Sequence, residues 1–400
     1  MNAIEIIIIL LLLVLAVPDV CRRLGRPALA NAGYVLFGVG LGPFLGDEVQ
    51  TMLQQAGKVG FLLLLFEVGL EIELPNWKRV LAPAGFAALW VLLQAPLAVA
   101  AAHFSGLSLA EAVVATAALT SCALGMTYSA WKAFPAPSAD RHGFLLLVMI
   151  TLEVQAIVSL SVGGPLLGKG FSWSLLPTAV GTLVVLGAVG LIAPRVEWVF
   201  QKILSTTTHW RIHLLILLVL AICALAQRLG VSAPKAAFFL GLFMSRLEHD
   251  GQPLEHYVAP LSQRFLIPAF FVSLGLQVPA AMLVQTVALK ALGTAALLLA
   301  VRQVLHRRWL RTGAGDRAWL LFSPNLTMVA LAATTFIEHQ ADPASSSWLL
   351  LTGLFLSVGA LLMLPGLPAR SGATAIADSS GHAHHKPAEP AQADSSTTLV

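Results

Sequence analysis

The chain has 400 residues, of which 57% are hydrophobic and 11% charged, with a formal net charge of +4. A chain this apolar would aggregate as a soluble globule, which excludes a water-soluble catalytic domain and points to an all-α polytopic membrane protein rather than an enzyme. The small positive charge follows from basic residues in cytoplasmic loops and calls for no nucleic-acid partner.

Apolar runs near the ~20 residues needed to cross the hydrocarbon recur from end to end. They predict about 13 transmembrane helices, at 3–17, 28–43, 57–73, 80–103, 109–131, 143–165, 172–194, 210–228, 232–245, 264–279, 282–305, 317–338 and 346–366. The first run lacks a basic leader and ends in the poor cleavage site Ala16–Val17–Pro18, so it reads as a retained helix. An outside N-terminus puts most of the 24 basic residues, Arg302 among them, on the cytoplasmic side and leaves out Lys58, Lys169, Arg228, Lys235 and Lys290. The C-terminus is then cytoplasmic. Cys21, Cys122 and Cys223 are scattered and support neither a disulfide framework nor a zinc site, and no cofactor is expected. Residues 1–366 form the membrane domain. Residues 367–400, rich in Ala, Ser, Asp, His and Pro, read as a disordered cytoplasmic tail whose His382, His384 and His385 offer a weak metal site at most.

The most informative residue is Glu153, near the middle of the otherwise apolar stretch from Phe144 to Gly163. Intramembrane acids mark ion or proton pathways more often than they serve as structural hydrogen-bond partners. Transport is therefore the leading function.

The two halves of the chain repeat. Leu65–Phe66–Glu67–Val68–Gly69–Leu70–Glu71–Ile72 echoes Phe271–Val272–Ser273–Leu274–Gly275–Leu276–Gln277–Val278. Six spans, one linker span at 172–194 and six more place equivalent helices in opposite orientations, so repeats of about 1–165 and 210–366 are inverted. The same offset pairs Leu119, Thr120 and Ser121 with Asn325, Leu326 and Thr327. Thr120–Ser121–Cys122 and Ser323–Pro324–Asn325 are the places where helices are expected to break, because proline removes a backbone donor and hydroxyls can satisfy freed carbonyls. Two crossed, discontinuous helices would aim dipole ends and free carbonyls at an ion.

The run Gly33–Tyr34–Val35–Leu36–Phe37–Gly38–Val39–Gly40–Leu41–Gly42–Pro43 followed by Leu64–Leu65–Phe66–Glu67–Val68–Gly69–Leu70–Glu71 resembles the start of bacterial monovalent cation:proton antiporters of the second family, which include Kef-type and sodium/proton exchangers. The likeness continues through Ala236–Ala237–Phe238–Phe239–Leu240–Gly241 and Phe270–Phe271–Val272–Ser273–Leu274–Gly275. The resemblance implies a bacterial inner-membrane homodimer of thirteen-helix protomers, each with a dimerisation domain and a core domain. It implies that Glu153 is the acid that binds cation and proton in turn, with Leu152 where many relatives carry a second acid or an amide. It also implies that Lys290 is the family's intramembrane lysine. Pro324–Asn325–Leu326–Thr327 departs from the Arg-Gly-Glu that many relatives carry after this proline.

These readings assemble an ion and proton site from Glu153, Thr120, Ser121, Asn325, Thr327 and Lys290, the carboxylate holding either load but not both. Gln155, two residues from Glu153, points to another helix face. Glu67 and Glu71 share a face and read as interfacial, Lys235 reads as interfacial on the outer side, and Gly38, Gly40 and Gly42 are expected to allow close helix contact. Two other classes stay open: a sensor that binds an ion without moving it, and a sodium-coupled carrier of organic solutes.

Overall fold

The computed structural model describes residues 3–71, 77–132, 134–135, 138–171, 211–228, 232–245, 248–249, 252–254, 262–309 and 317–364, with a few single positions between 173 and 202. Apart from those single positions, the linker span at 172–194 lies outside these residues, as do the tail and the side chain of Glu71. The described part is all helical apart from a two-residue hairpin that pairs Glu248–His249 with Gln252–Pro253.

Every expected span in the described residues holds a helix. In chain order these are α1 (Ala3–Arg23), α2 (Ala30–Leu41), α3 (Asp47–Glu71), α4 (Trp77–Phe104), α5 (Leu109–Leu119), α6 (Leu124–Lys132) and α7 (Ala139–Lys169). The second half gives α8 (Arg211–Arg228), α9 (Ala233–Met244), α10 (Ile267–Leu276), α11 (Thr286–Trp309), α12 (Leu326–Glu338) and α13 (Pro343–Met363). A 3-10 turn, Pro27–Leu29, links α1 to α2, and another, Ala318–Leu320, precedes α12. Local signals set several starts. Ser108 accepts from the Glu111 amide while the Glu111 carboxylate accepts from the Ser108 amide, a reciprocal cap that begins α5, and Asp342 caps α13 ahead of Pro343 at its first position.

The helices sort into two groups that follow the repeat. α1, α2, α3, α8, α9 and α10 pack on one another as a scaffold, whereas α4, α5, α7, α11, α12 and α13 form a core. The scaffold is drawn together by two reciprocal glycine crossings. A methyl group added at Gly38 would lie 2.1 Å from the Val272 carbonyl and 2.9 Å from the Gly275 Cα, and one added at Gly241 would lie 2.1 Å from the Phe66 carbonyl and 3.0 Å from the Gly69 Cα. Only glycine permits such backbone approach, which is how helices adhere where lipid removes the hydrophobic drive. The expectation for Gly40 and Gly42 is corrected: Gly40 has no neighbour within 4 Å, and Gly42 meets only the tip of Leu276 at 3.9 Å.

Scaffold and core also touch through Arg26, beside the 3-10 turn, whose Nη1 donates to the carbonyls of Leu361 and Leu364 at the end of α13, the latter at 2.9 Å. These are carbonyls that a helix end leaves without an internal partner.

Candidate ion-binding site

Both expected helix breaks are present. α5 ends at Leu119 and α6 begins at Leu124, and the segment between Ala318–Leu320 and α12 is irregular from 321 to 325. The two breaks meet. The Ala123 amide donates to the Pro324 carbonyl at 2.7 Å, and Cys122 Sγ donates to the Leu321 carbonyl at 3.2 Å. Asn325 Nδ2 donates to the carbonyls of Leu119 at 2.9 Å and Ala118 at 3.2 Å, and its own amide donates to Ser357 Oγ on α13 at 3.1 Å. Peptide groups freed from two helix ladders thus satisfy one another, which lets irregular backbone persist at membrane depth.

Glu153, fully buried halfway along α7, reaches this crossing: Leu124 donates its amide to Glu153 Oε2 at 3.1 Å. Leu124 is the first residue of α6, so the carboxylate faces the positive end of a helix dipole and takes one of its orphan donors. Asn325 adds a second feature. Because carbonyls only accept, the amide nitrogen must face Ala118 and Leu119, and the buried Oδ1 is left without a hydrogen-bond partner. A buried carbonyl oxygen in that condition is a ready ligand for a hard cation. Thr116 Oγ1, on α5 one turn ahead of Thr120, is in the same condition.

The hydroxyls are less committed to a ligand. Thr120 Oγ1 donates to the Thr116 carbonyl at 2.8 Å and Ser121 Oγ to the Ala118 carbonyl at 2.5 Å, so each spends its proton on the preceding turn and keeps its lone pairs. Thr327 is buried one residue into α12.

Sequence reasoning misjudged three charged residues. Lys290 is exposed and donates through Nζ to the Ser105 carbonyl at 3.3 Å, near the start of α11. The charge that α11 does bring to the crossing belongs to Arg302, twelve residues and roughly 18 Å further along the helix. Expected at the cytoplasmic surface, Arg302 is fully buried. Its Nη2 donates to the Leu119 carbonyl at 2.6 Å, its Nη1 to the Ser323 and Phe322 carbonyls at 3.3 and 3.5 Å, and its Nε to Gln94 Oε1 on α4 at 2.7 Å. The negative ends of the two interrupted segments are therefore answered by a resident guanidinium, so the carbonyls of Leu119, Phe322 and Ser323 already hold a cation. Glu67 is the third case. It is buried within the scaffold and accepts from Ser262 Oγ, and its neighbour Val68 packs 3.2 Å from the Cβ position of Gly125 in α6.

The family model for the transmembrane domain of the sodium/hydrogen exchanger matches residues 7–362. The chain belongs to that family. The chain is 25% identical over 335 residues to the putative Na+/H+ antiporter YjbQ of Bacillus subtilis, an alignment covering 78% of this chain and 54% of that one. It therefore spans about half the length of that relative. It is also 27% identical over 270 residues to a Na+/H+ antiporter of Enterococcus hirae, covering 65% of this chain and 69% of the relative. Among solved structures it resembles the sodium proton antiporter MjNhaP1 of Methanocaldococcus jannaschii with a TM-score of 0.67 at 16% identity, covering 90% of this chain and 98% of that one. At that identity the likeness is one of fold alone.

Proposed function

We propose that this exchanger is a secondary antiporter that trades a monovalent cation, with sodium as the leading cargo, for protons, and that Glu153 carries both loads in turn. The observation that carries this reading is the contact between Glu153 Oε2 and the Leu124 amide at the start of α6, within the crossing of the two helix breaks. An ionised carboxylate held by a helix N-terminus attracts a desolvated cation. Protonated, it is neutral and a poor ligand. Because one group cannot hold a proton and a cation together, each load displaces the other and the fluxes are coupled. Sodium as cargo is supported by the names of the relatives from Bacillus subtilis and Enterococcus hirae.

The neutral ligands in this reading are Asn325 Oδ1 and the lone pairs of Thr120, Ser121 and Thr327. Access alternates as the core group shifts against the scaffold group, the interrupted helices travelling with Glu153. The protein works as a homodimer in the bacterial inner membrane, with its N-terminus outside. The test is Glu153→Gln, reconstituted in proteoliposomes with a pH-sensitive dye. Sodium-driven proton flux is expected to vanish while the melting temperature and elution profile stay those of the wild type. Exchange by a well-folded Glu153→Gln protein would refute the assignment.

A further inference from the structure

Arg302 presents an unusual electrostatic arrangement. All four groups that accept from it, the Gln94 side chain and the carbonyls of Leu119, Phe322 and Ser323, are neutral. Among the described residues, no carboxylate lies within ion-pair distance of it. Arginine stays protonated in protein interiors, so its charge is hydrogen-bonded but not cancelled. Taking such a charge to the membrane centre is costly, and a carboxylate partner would have been the usual remedy. The chain supplies an amide instead.

That amide is held firmly. Gln94 is fully buried on α4, and its Nε2 donates to the Trp90 carbonyl at 2.9 Å. The Trp90 carbonyl accepts only, so the orientation is fixed and Oε1 must face Arg302 Nε. With Nε anchored, the guanidinium fork lies on the carbonyls of both breaks and does not lean toward Glu153. Leu119, which receives Nη2, is five residues from Leu124, which holds Glu153. Cys122, between them in sequence, lies within electrostatic reach of both Arg302 and Glu153. The field of the guanidinium therefore falls on the place where cargo would sit.

We infer that Gln94 is a positioning residue that sets cation affinity: as a neutral anchor it keeps an uncancelled positive charge fixed behind the crossing, which weakens cation binding and speeds release. The inference rests on the reading of Glu153 as the cation ligand. A transporter has to let its cargo go, and a carboxylate in a dry site would otherwise hold a desolvated cation too tightly. A glutamate at position 94 would keep the shape and the bond to Nε and cancel the charge, while setting its second oxygen against the Trp90 carbonyl in place of the amide donor.

The experiment measures the sodium dependence of exchange in proteoliposomes, and separately the sodium concentration that half-stabilises the detergent-solubilised protein against heat, for wild type, Gln94→Glu and Gln94→Met. At a separation on the order of 10 Å and an effective dielectric near 20, a unit charge alters a binding constant roughly ten- to twentyfold. Gln94→Glu is expected to lower the KM and the half-stabilising concentration by about that factor, with kcat falling as release slows. Gln94→Met, neutral and of similar volume, frees the guanidinium to lean toward Glu153 and is expected to raise both at least threefold. A purely structural glutamine would change melting temperature without moving either in opposite directions. For whichever variant is recovered folded, sodium values within twofold of wild type overturn the inference. Absence of sodium-dependent flux in the wild type would instead overturn the reading of the site itself.

Discussion

The amide of Ala123 donates to the carbonyl of Pro324 across 2.7 Å, joining the two interrupted helices backbone to backbone where each has lost its own ladder. Asn325 adds two side-chain bonds in the opposite direction and Arg302 three more. The crossing is therefore one hydrogen-bonded body rather than two loops that happen to be near each other.

Asn325→Asp tests that body. Aspartate keeps the size of the side chain but sets an oxygen against the carbonyls of Ala118 and Leu119, which need a donor. Losing a buried partner costs about 1–3 kcal/mol per unsatisfied group, more where a charge is involved. The expected result is a melting temperature lower by several degrees and loss of exchange, measured by intrinsic fluorescence and proteoliposome flux. A stable, active Asn325→Asp protein would contradict the assigned amide orientation.

The charges on α11 give a paired prediction. Lys290→Ala is expected to leave exchange within twofold of wild type, because Lys290 bonds only an outlying carbonyl. Arg302→Leu leaves the carbonyls of Leu119, Ser323 and Phe322 without their donor and is expected to abolish the monodisperse peak in size-exclusion chromatography.

The glycine crossings predict a contrast in stability. Gly241→Ala drives a methyl into the Phe66 carbonyl, and overpacking of this kind typically costs about 1–3 kcal/mol. Gly40→Ala meets nothing and is expected to leave the melting temperature in detergent unchanged.

Exchange through one carboxylate should be electroneutral, one cation for one proton. Imposing an inside-negative potassium diffusion potential on proteoliposomes is expected to leave the initial rate of sodium/proton exchange unaltered. A rate that follows the potential would mean that a further charge moves in the cycle.

What was legible in the sequence follows from what lipid demands. The spans could be read because the hydrocarbon imposes length and apolarity on every helix, and Glu153 because an acid has few reasons to be there. The breaks were visible in Pro324 and in the Thr120–Ser121 pair, and the repeat located one from the other. Arg302 was hidden by its neighbours. It stands one turn ahead of His306, Arg307 and Arg308, a cluster that marks a helix end, and nothing in a linear reading separates it from them. The available signal was Gln94, a polar residue at a near-equivalent depth in the other repeat. Glu67 was misread for the same reason, being grouped with Glu71 as an interfacial pair when the partner that buries it, Ser262, lies far along the chain.

Arg26 holds the last carbonyls of α13 from the scaffold side. Any slide of the core along the scaffold must first strip that guanidinium away, and the exposed carbonyls would then need water in its place. In the proposed alternation, wetting of that seam and departure of the core would be a single event: the crevice would stay closed while the clasp is fastened, and the clasp would need water to open.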